Sequence, residues 1–177
     1  ELSGGGDGVL STVPYLNGDV PLFQITTGGD TKSGYHIEEA AYTSGSGITA
    51  LLANGDLCGA TNAAWSGKVV LCQRGTYSFA EKVNAVRNSG GVGVVIYNNV
   101  PGDLMATCGG NCTQPSIPAI SLNQVDGQAL LPSVGSNSTL IVYSGSDCTT
   151  CTGGYDYMSG TSMATPGVAA GVAWVWD

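Results

Sequence analysis

Residues 67–97 read GKVVLCQRGTYSFAEKVNAVRNSGGVGVVIY and carry the clearest secondary-structure pattern of the chain. The β-branched run from Lys68 to Cys72 predicts a short buried strand. Ser78 is followed three residues later by Glu81, and this spacing is that of a capping box. The sequence therefore predicts that a helix begins at this point.

The predicted helix has one apolar face and a defined end. Phe79, Val83 and Val86 recur at spacings of four and three, which places them on the same side. Gly90-Gly91 supplies a left-handed stop, and the apolar run 92–97 predicts a second buried strand. A strand, a helix and a returning strand of this length predict a parallel βαβ unit with a right-handed crossover. No residue of the unit indicates catalysis, so we interpret it as a scaffold.

This pattern resembles the protease-associated (PA) domain, an insert of secreted subtilisin-like proteases, plant subtilases and some peptidase-like receptors. The resemblance is carried by residues 67–75, 79–82, 85–86, 90–91, 96–99 and 117–121. It implies an α+β fold, with an open β-barrel or mixed sheet of the PA type, a βαβ core and few short helices.

Further elements are predicted outside this core. Strands are expected at 9–13, 40–43, 48–52, 117–122 and 139–143, and a helix capped by Asn123 at 124–131. Residues 15–43 alternate irregularly around a turn at Gly28-Gly29-Asp30. Residues 144–154 are rich in glycine, serine and threonine and are interpreted as a flexible bridge.

Composition excludes two classes of partner. The 177 residues include 5 Lys+Arg against 13 Asp+Glu, a formal net charge of −8. This charge repels phosphates and acidic lipid surfaces, so we expect no nucleic-acid partner and no membrane partner. The longest apolar tract, 163–176, is shorter than the ~20 residues that a membrane span needs.

Cysteine usage indicates an oxidising compartment. The even count of six favours a disulfide framework and therefore a secreted, extracellular protein. Residues 1–3 lack the basic start and apolar run of a signal peptide, so we expect any leader to have been removed. The disulfide candidates are Cys58, Cys72, Cys108, Cys112, Cys148 and Cys151.

Disulfide bridges and a zinc site are the two alternatives for these cysteines. Cys58 and Cys72 would close a loop of about 15 residues, which stabilises by about 3 kcal/mol in the chain-entropy model. The other four form two closely spaced pairs, which could make small loops or together bind zinc. A redox role for the last pair is disfavoured, because Gly153-Gly154 interrupts the helix that such a site needs.

The segment 160–166, GTSMATP, resembles the nucleophile motif of subtilisin-like serine proteases. Ser162 is expected where a loop meets a helix, so its hydroxyl, its backbone N–H and the positive helix end would face one space. Negative charge on a tetrahedral intermediate would be stabilised there. The alternative is an ordinary helix N-cap. Seven matching residues, followed by Val-Ala-Ala-Gly at 168–171, favour the nucleophile.

The resemblance implies a divided catalytic domain. Residues 1–14 are similar to the segment that precedes the nucleophile, 15–154 to a PA insert, and 155–177 to the nucleophile segment with a C-terminal helix of a subtilisin-like α/β domain. The family's Asp, His and oxyanion Asn are expected on preceding polypeptide, so the isolated chain is predicted to be inactive. Gly4-Gly5 and Gly167 depart from the family, which usually has Ala-Pro and His there.

Three functions remain open from the sequence. The first is a portion of a secreted subtilisin-like serine endopeptidase, with the rest of the catalytic domain and protein or peptide substrates as partners. The second is a polypeptide-binding module without a catalytic role. The third is an active hydrolase that uses His36 or Asp156 as its base. We expect no cofactor or metal in this chain, while the resemblance is compatible with calcium in the parent protease.

Overall fold

The structure is a computed structural model that describes residues 9–13, 21–144 and 154–158. Its strands are β1 (Val9–Val13), β2 (Leu22–Thr27), β3 (Asp30–Ser33), β4 (Tyr35–His36), β5 (Ile48–Asn54), β6 (Val69–Gln73), β7 (Gly93–Tyr97), β8 (Ala119–Leu122), β9 (Asn137–Tyr143) and β10 (Gly154–Met158). Its α-helices are α1 (Phe79–Asn88) and α2 (Gln124–Ala129), and short 3₁₀ turns occur at Ala63–Trp65 and Leu131–Ser133.

The chain divides into two compact units. One contains β1 and β10, which pair antiparallel with Val9 opposite Met158. The other spans residues 21–145 and holds the remaining described elements. The strand predicted at 9–13 is confirmed, and its partner β10 was not predicted.

The predicted βαβ unit is confirmed. β6 and β7 are parallel neighbours, with Val69 opposite Gly93 and Gln73 opposite Tyr97, and α1 connects them. Parallel strands need a crossover of this kind, because a tight turn can join only antiparallel ones.

The ends of α1 are where the sequence predicts them. The hydroxyl of Ser78 accepts a hydrogen bond from the Glu81 N–H at 3.2 Å, and the Glu81 carboxylate accepts one from the Ser78 N–H at 2.7 Å. These bonds hold the pKa of Glu81 below its usual value, the main-chain bond more than the side-chain bond. Beyond the C-cap, Gly90 has a φ of 77°, which a residue without Cβ adopts readily.

Both faces of the central strands are buried. Along β6, Val69 and Leu71 belong to one hydrophobic cluster, while Val70 and Cys72 belong to the other, which includes Val83 and Val86 of α1. Successive side chains of a strand point to opposite faces, so a nearly continuous apolar run is what a strand between two clusters requires.

Eight strands form one mixed sheet in the order β3-β2-β9-β5-β6-β7-β8-β4. The pairs from β5 to β8 are parallel, and the pairs outside them are antiparallel. β3 and β4 are consecutive in the chain yet lie at the two ends of the sheet. The sheet therefore curls into a nearly closed barrel, and the expected PA-type α+β fold is confirmed.

Gly34 is the residue at which the barrel almost closes. Its N–H donates to the Phe23 carbonyl of β2 at 2.8 Å, while a Cβ built on it would lie 2.0 Å from the Ser121 carbonyl oxygen of β8. The chain passes from one end of the sheet to the other through a space that admits no side chain.

Two disulfides are present in the described residues. Cys58 is bonded to Cys72, and Cys108 is bonded to Cys112. The zinc alternative required the thiolates of Cys108 and Cys112, which are bonded to each other here. Cys148 and Cys151 lie outside the described residues.

Some strand predictions were wrong. No strand covers 40–43, where only an isolated bridge joins Ala41 to Pro118. Glu39 has a φ of 72°, and the Ala40 N–H donates to the Ile37 carbonyl, so the backbone turns instead of extending. Conversely, residues 15–43, which were interpreted as irregular, contain β2, β3 and β4. β10 lies where the sequence predicted the end of a flexible bridge and the start of the nucleophile segment. The expected C-terminal helix lies outside the described residues.

Gly34→Ala should lower the free energy of unfolding by about 1–3 kcal/mol, because the added methyl group must displace backbone atoms. Urea unfolding followed by circular dichroism measures this. Gly45→Ala is the matched control, since its Cβ would have only ordinary contacts, at 3.8 Å from Tyr143. Equal midpoints for the two variants would contradict the closure described here.

Candidate functional site

The residues predicted for catalysis fall largely outside the described part of the chain. Ser162, Gly4, Gly5 and Gly167 all lie outside the described residues. Asp156 is in β10, opposite Ser11 of β1. His36, the single histidine of the sequence, is in β4, and its surroundings are fully described.

His36 is held by aromatic stacking and one hydrogen bond. Its ring stacks with Phe23 at a centroid distance of 5.7 Å and with Tyr42 at 4.3 Å. Nε2 lies 3.0 Å from the Ala40 carbonyl oxygen, and because a carbonyl only accepts, Nε2 carries the proton. Burial lowers the pKa of His36, against smaller opposing effects of the Ala40 carbonyl and the Glu38 carboxylate. The neutral ring is thereby favoured.

A groove opens beside His36 at the seam between the two ends of the sheet. It encloses about 570 Å³ and is lined by Phe23, Tyr35, His36, Glu38, Met105, Ala106 and Thr107; we call it the seam groove. Its volume is typical of ligand-binding clefts.

Large apolar side chains stand exposed around the seam groove. Met105 is 79% exposed, Tyr42 52% and Tyr35 40%. A cluster of exposed side chains of this size marks an interaction surface more often than a single exposed residue does.

The charge around the seam groove is negative. Glu38 is the only charged residue among those that line it, all of which belong to the described range 21–144. At the rim, the Tyr35 hydroxyl donates to Asp103 Oδ2 at 3.3 Å. The charge of Asp103, followed by burial and this hydrogen bond, raises the pKa of Tyr35 above its usual value.

The wall that carries Met105 is anchored on both sides. The Glu38 N–H donates to the Ala106 carbonyl at 3.1 Å, and the Cys108 N–H donates to the Glu38 carbonyl at 3.2 Å. The Ser121 hydroxyl donates to the Leu104 carbonyl. Met105 therefore projects from a segment fixed to Glu38, just after β4, through main-chain bonds and to β8 through the Ser121 hydroxyl.

A second cavity, of about 460 Å³, lies beside the Cys58–Cys72 disulfide and is lined by residues 55–62, Trp65 and Tyr77. Lys82 of α1 is fully buried, and its Nζ donates to the Leu57 carbonyl. The Tyr77 ring centroid is 5.7 Å from the same nitrogen. Burial lowers the pKa of Lys82, with a smaller opposing effect of Glu81. The ammonium group ties the disulfide loop to α1, which is a structural role.

Neither a metal cluster nor a membrane span was found in the part of the chain that the structure describes. There, no three His, Cys, Asp or Glu side chains come together as metal ligands would. None of the described helices is both long and apolar enough to cross a membrane.

The described fold is that of a small mixed-sheet domain built on a parallel βαβ unit, with a groove where its barrel fails to close. Comparison with known families gives the same class. The PA domain family matches residues 39–130, more than half of the chain, and the chain belongs to this family. The subtilase family matches residues 109–177. The resemblance to a PA domain within a subtilase is therefore confirmed.

Similar sequences occur in peptidases of fungi and bacteria. Leucine aminopeptidase 2 of Trichophyton equinum is 44% identical over 70 residues, which are 40% of this chain and 14% of that protein. The minor extracellular protease Vpr of Bacillus subtilis is 32% identical over 74 residues, 42% of this chain and 9% of that protein. The chain thus spans a small part of the length of these relatives.

Solved structures share the fold. BSAP, a zinc aminopeptidase from Bacillus subtilis, superposes with a TM-score of 0.62 at 25% identity, covering 75% of this chain and 32% of that one. The psychrophilic subtilisin-like protease Apa1 from Pseudoalteromonas sp. AS-11 gives a TM-score of 0.55 at 24% identity. The likeness covers 92% of this chain and 40% of that one. The second likeness concerns the fold alone.

Sequence reasoning did not find the seam groove or the buried Lys82. The groove is lined by Phe23, His36 and Met105, which are separated in the chain. No local sequence pattern therefore indicates it. A lysine on the buried side of α1 could have been noticed, because Lys82 lies three residues after Phe79 and four before Val86, beside the apolar face.

The depressed pKa of His36 predicts how stability depends on pH. As pH falls, His36 of the unfolded chain takes up a proton at about pH 6.5, which is a higher pH than in the folded chain. The stability contributed by the neutral ring is therefore complete above that pH and is lost as pH falls through the lower folded-state pKa. In His36→Gln this part of the pH dependence should vanish, as measured by urea unfolding from pH 8 to pH 5.

The His36 ring protons report the same equilibrium by NMR in the unaltered protein. A titration midpoint at or above that of an unstructured histidine peptide would contradict this account of the site, as would a stability difference between protein and variant that stays constant with pH.

Proposed function

We propose that the chain is part of a secreted subtilisin-like serine endopeptidase, in which Ser162 is the nucleophile and the PA domain binds or admits polypeptide substrates. The observation that carries this proposal is the order of the two family matches. The PA domain match covers 39–130, and the subtilase match, 109–177, overlaps its end and contains the segment 160–166. The serine motif thus lies C-terminal to the PA domain match and within the subtilase match.

In this proposal the catalytic domain is interrupted. Residues 1–14 and 155–177 belong to it, and residues 15–154 form the PA insert. Ser162 attacks the scissile carbonyl, its proton passes to a histidine oriented by a carboxylate, and its N–H helps to bind the oxyanion. The histidine and the carboxylate are supplied by the remainder of the catalytic domain. Without them the hydroxyl stays protonated and weakly nucleophilic.

Secretion and a polypeptide substrate are supported by context. Two disulfides in the described residues suit an oxidising compartment, and one relative is named an extracellular protease. Other relatives are named aminopeptidases. We favour serine catalysis because the subtilase match, not the PA match, covers Ser162.

A second candidate function, a polypeptide-binding module without catalysis, is favoured by the seam groove and its exposed Met105 and Tyr42. The two functions are compatible if the groove serves the protease. They differ in whether Ser162 ever reacts.

A biotinylated fluorophosphonate distinguishes them. We expect no labelling of the 177-residue chain alone, and labelling of Ser162 when the chain is produced together with catalytic-domain polypeptide that carries the Asp and His motifs. Ser162→Ala should abolish labelling in that longer protein, while Ser46→Ala, at an exposed serine of the PA domain, should leave it unchanged. Mass spectrometry identifies the labelled residue.

Labelling of Ser162 in the isolated chain would overturn the divided catalytic site and favour the hydrolase that uses His36 or Asp156. Absence of labelling in the longer protein, despite correct folding, would favour the binding module.

A further inference from the structure

We propose that the seam groove binds an extended polypeptide segment bearing a lysine or arginine, which pairs with the main chain of His36 and places its cation near Glu38 and Asp103. The inference deepens the proposed function, on which it rests for the view that the bound segment belongs to a substrate. The binding itself requires no catalysis and is tested without it.

The main chain of β4 offers an edge for pairing. β4 ends the sheet, and β8 lies on one side of it, with His36 opposite Ile120. The Ile37 N–H donates to the Ala119 carbonyl at 3.1 Å. In an antiparallel pair such bonds alternate, so the main-chain groups of His36 point away from β8.

The neighbours of His36 identify what lies on that other side. Two residues before it, the Gly34 N–H donates to Phe23 of β2, and two residues after it, the Glu38 N–H donates to Ala106. Between these two partners, His36 lines the seam groove. An extended peptide entering the groove would meet one main-chain donor and one acceptor there, as in strand addition to a sheet edge.

Charge selects the occupant. Glu38 lines the groove, Asp103 accepts from Tyr35 at its rim, and the lining residues include no lysine or arginine. A cationic side chain is attracted to both carboxylates, whereas an acidic one is repelled. The formal net charge of −8 adds attraction at longer range.

The apolar walls suit the rest of such a side chain. Lysine and arginine have long hydrocarbon stems that pack on apolar surface while the charged head remains solvated. Met105 is unbranched and adaptable, and the exposed ring of Tyr42, stacked on His36, offers a face to a cation. A wholly apolar segment would leave both carboxylates without a cationic partner.

The test measures binding of fluorescent, end-capped peptides to the purified 177-residue chain by fluorescence anisotropy. The probe peptide alternates valine and threonine around a central lysine, and matched peptides carry glutamine or glutamate instead. We expect measurable binding of the lysine peptide below about 1 mM, weaker binding with glutamine and weakest with glutamate. The lysine preference should shrink as salt is added.

Variants assign the binding to the seam groove. Glu38→Gln and Asp103→Asn should each weaken the lysine peptide about two- to fivefold, the range for exposed ion pairs, with little effect on the glutamine peptide. Asp56→Asn removes the same charge beside the other cavity and should change neither. Unaltered melting temperatures verify that all three variants are folded.

Main-chain pairing has its own readout. The amide of His36 should exchange with deuterium more slowly when the lysine peptide is present, whereas the amide of Gly135, which donates to the Leu52 carbonyl, should not change. No binding of any peptide at about 1 mM, or binding unaffected by Glu38→Gln and Asp103→Asn, would overturn the inference.

The outcomes separate this inference from the proposed function. Peptide binding by the chain, with no labelling of Ser162 in the longer protein, would retain the binding site and reject the protease. Labelling of Ser162 in the longer protein, without peptide binding by the chain, would retain the protease and reject the binding site.

Discussion

The parallel pairing of β6 with β7 dictates how the other elements of the domain are arranged. A parallel pair cannot be closed by a hairpin, so the chain must cross over, and α1 is that crossover. The helix covers one face of the pair, and the flanking strands wrap around to cover the other. Val69 and Val70, adjacent in sequence, are buried in different clusters for this reason.

Wrapping brings the two ends of the sheet together without joining them. β3 and β4 are separated by Gly34 alone, and the close approach of the Ser121 carbonyl leaves room only for glycine there. Past this point β4 diverges from β2, and the space between them becomes the seam groove. The candidate site thus follows from the topology of the sheet, and its acidic and aromatic side chains define which ligands it would accept.

The signals that fix the ends of α1 were read correctly, whereas the strands β2, β3 and β4 were missed. The first turn of α1 is fixed by Ser78 with Glu81, and its end is fixed by Gly90. Each signal acts over a few residues, so sequence alone places both ends of the helix. β2 was missed because it pairs with β9, more than one hundred residues away. β3 pairs with β2 across the turn at Gly28-Gly29, a local hairpin of which only the turn was recognised. The seam groove was missed for the same reason as β2, since stacking of His36 with Phe23 and Tyr42 depends on closure of the barrel. The subtilase match to 109–177 supports the resemblance of the serine motif, while the role of Ser162 stays a prediction.

We expect the βαβ core to organise a domain whose folding does not depend on the polypeptide that carries Ser162. To test this independence, residues 21–145, the extent of the larger unit, are produced alone and their amide hydrogen exchange is measured during urea unfolding. We predict one cooperative transition, with the slowest exchange in β6, β7 and β8. Rapid exchange throughout these strands, or folding that appears only when residues 1–20 and 146–177 are restored, would contradict the account.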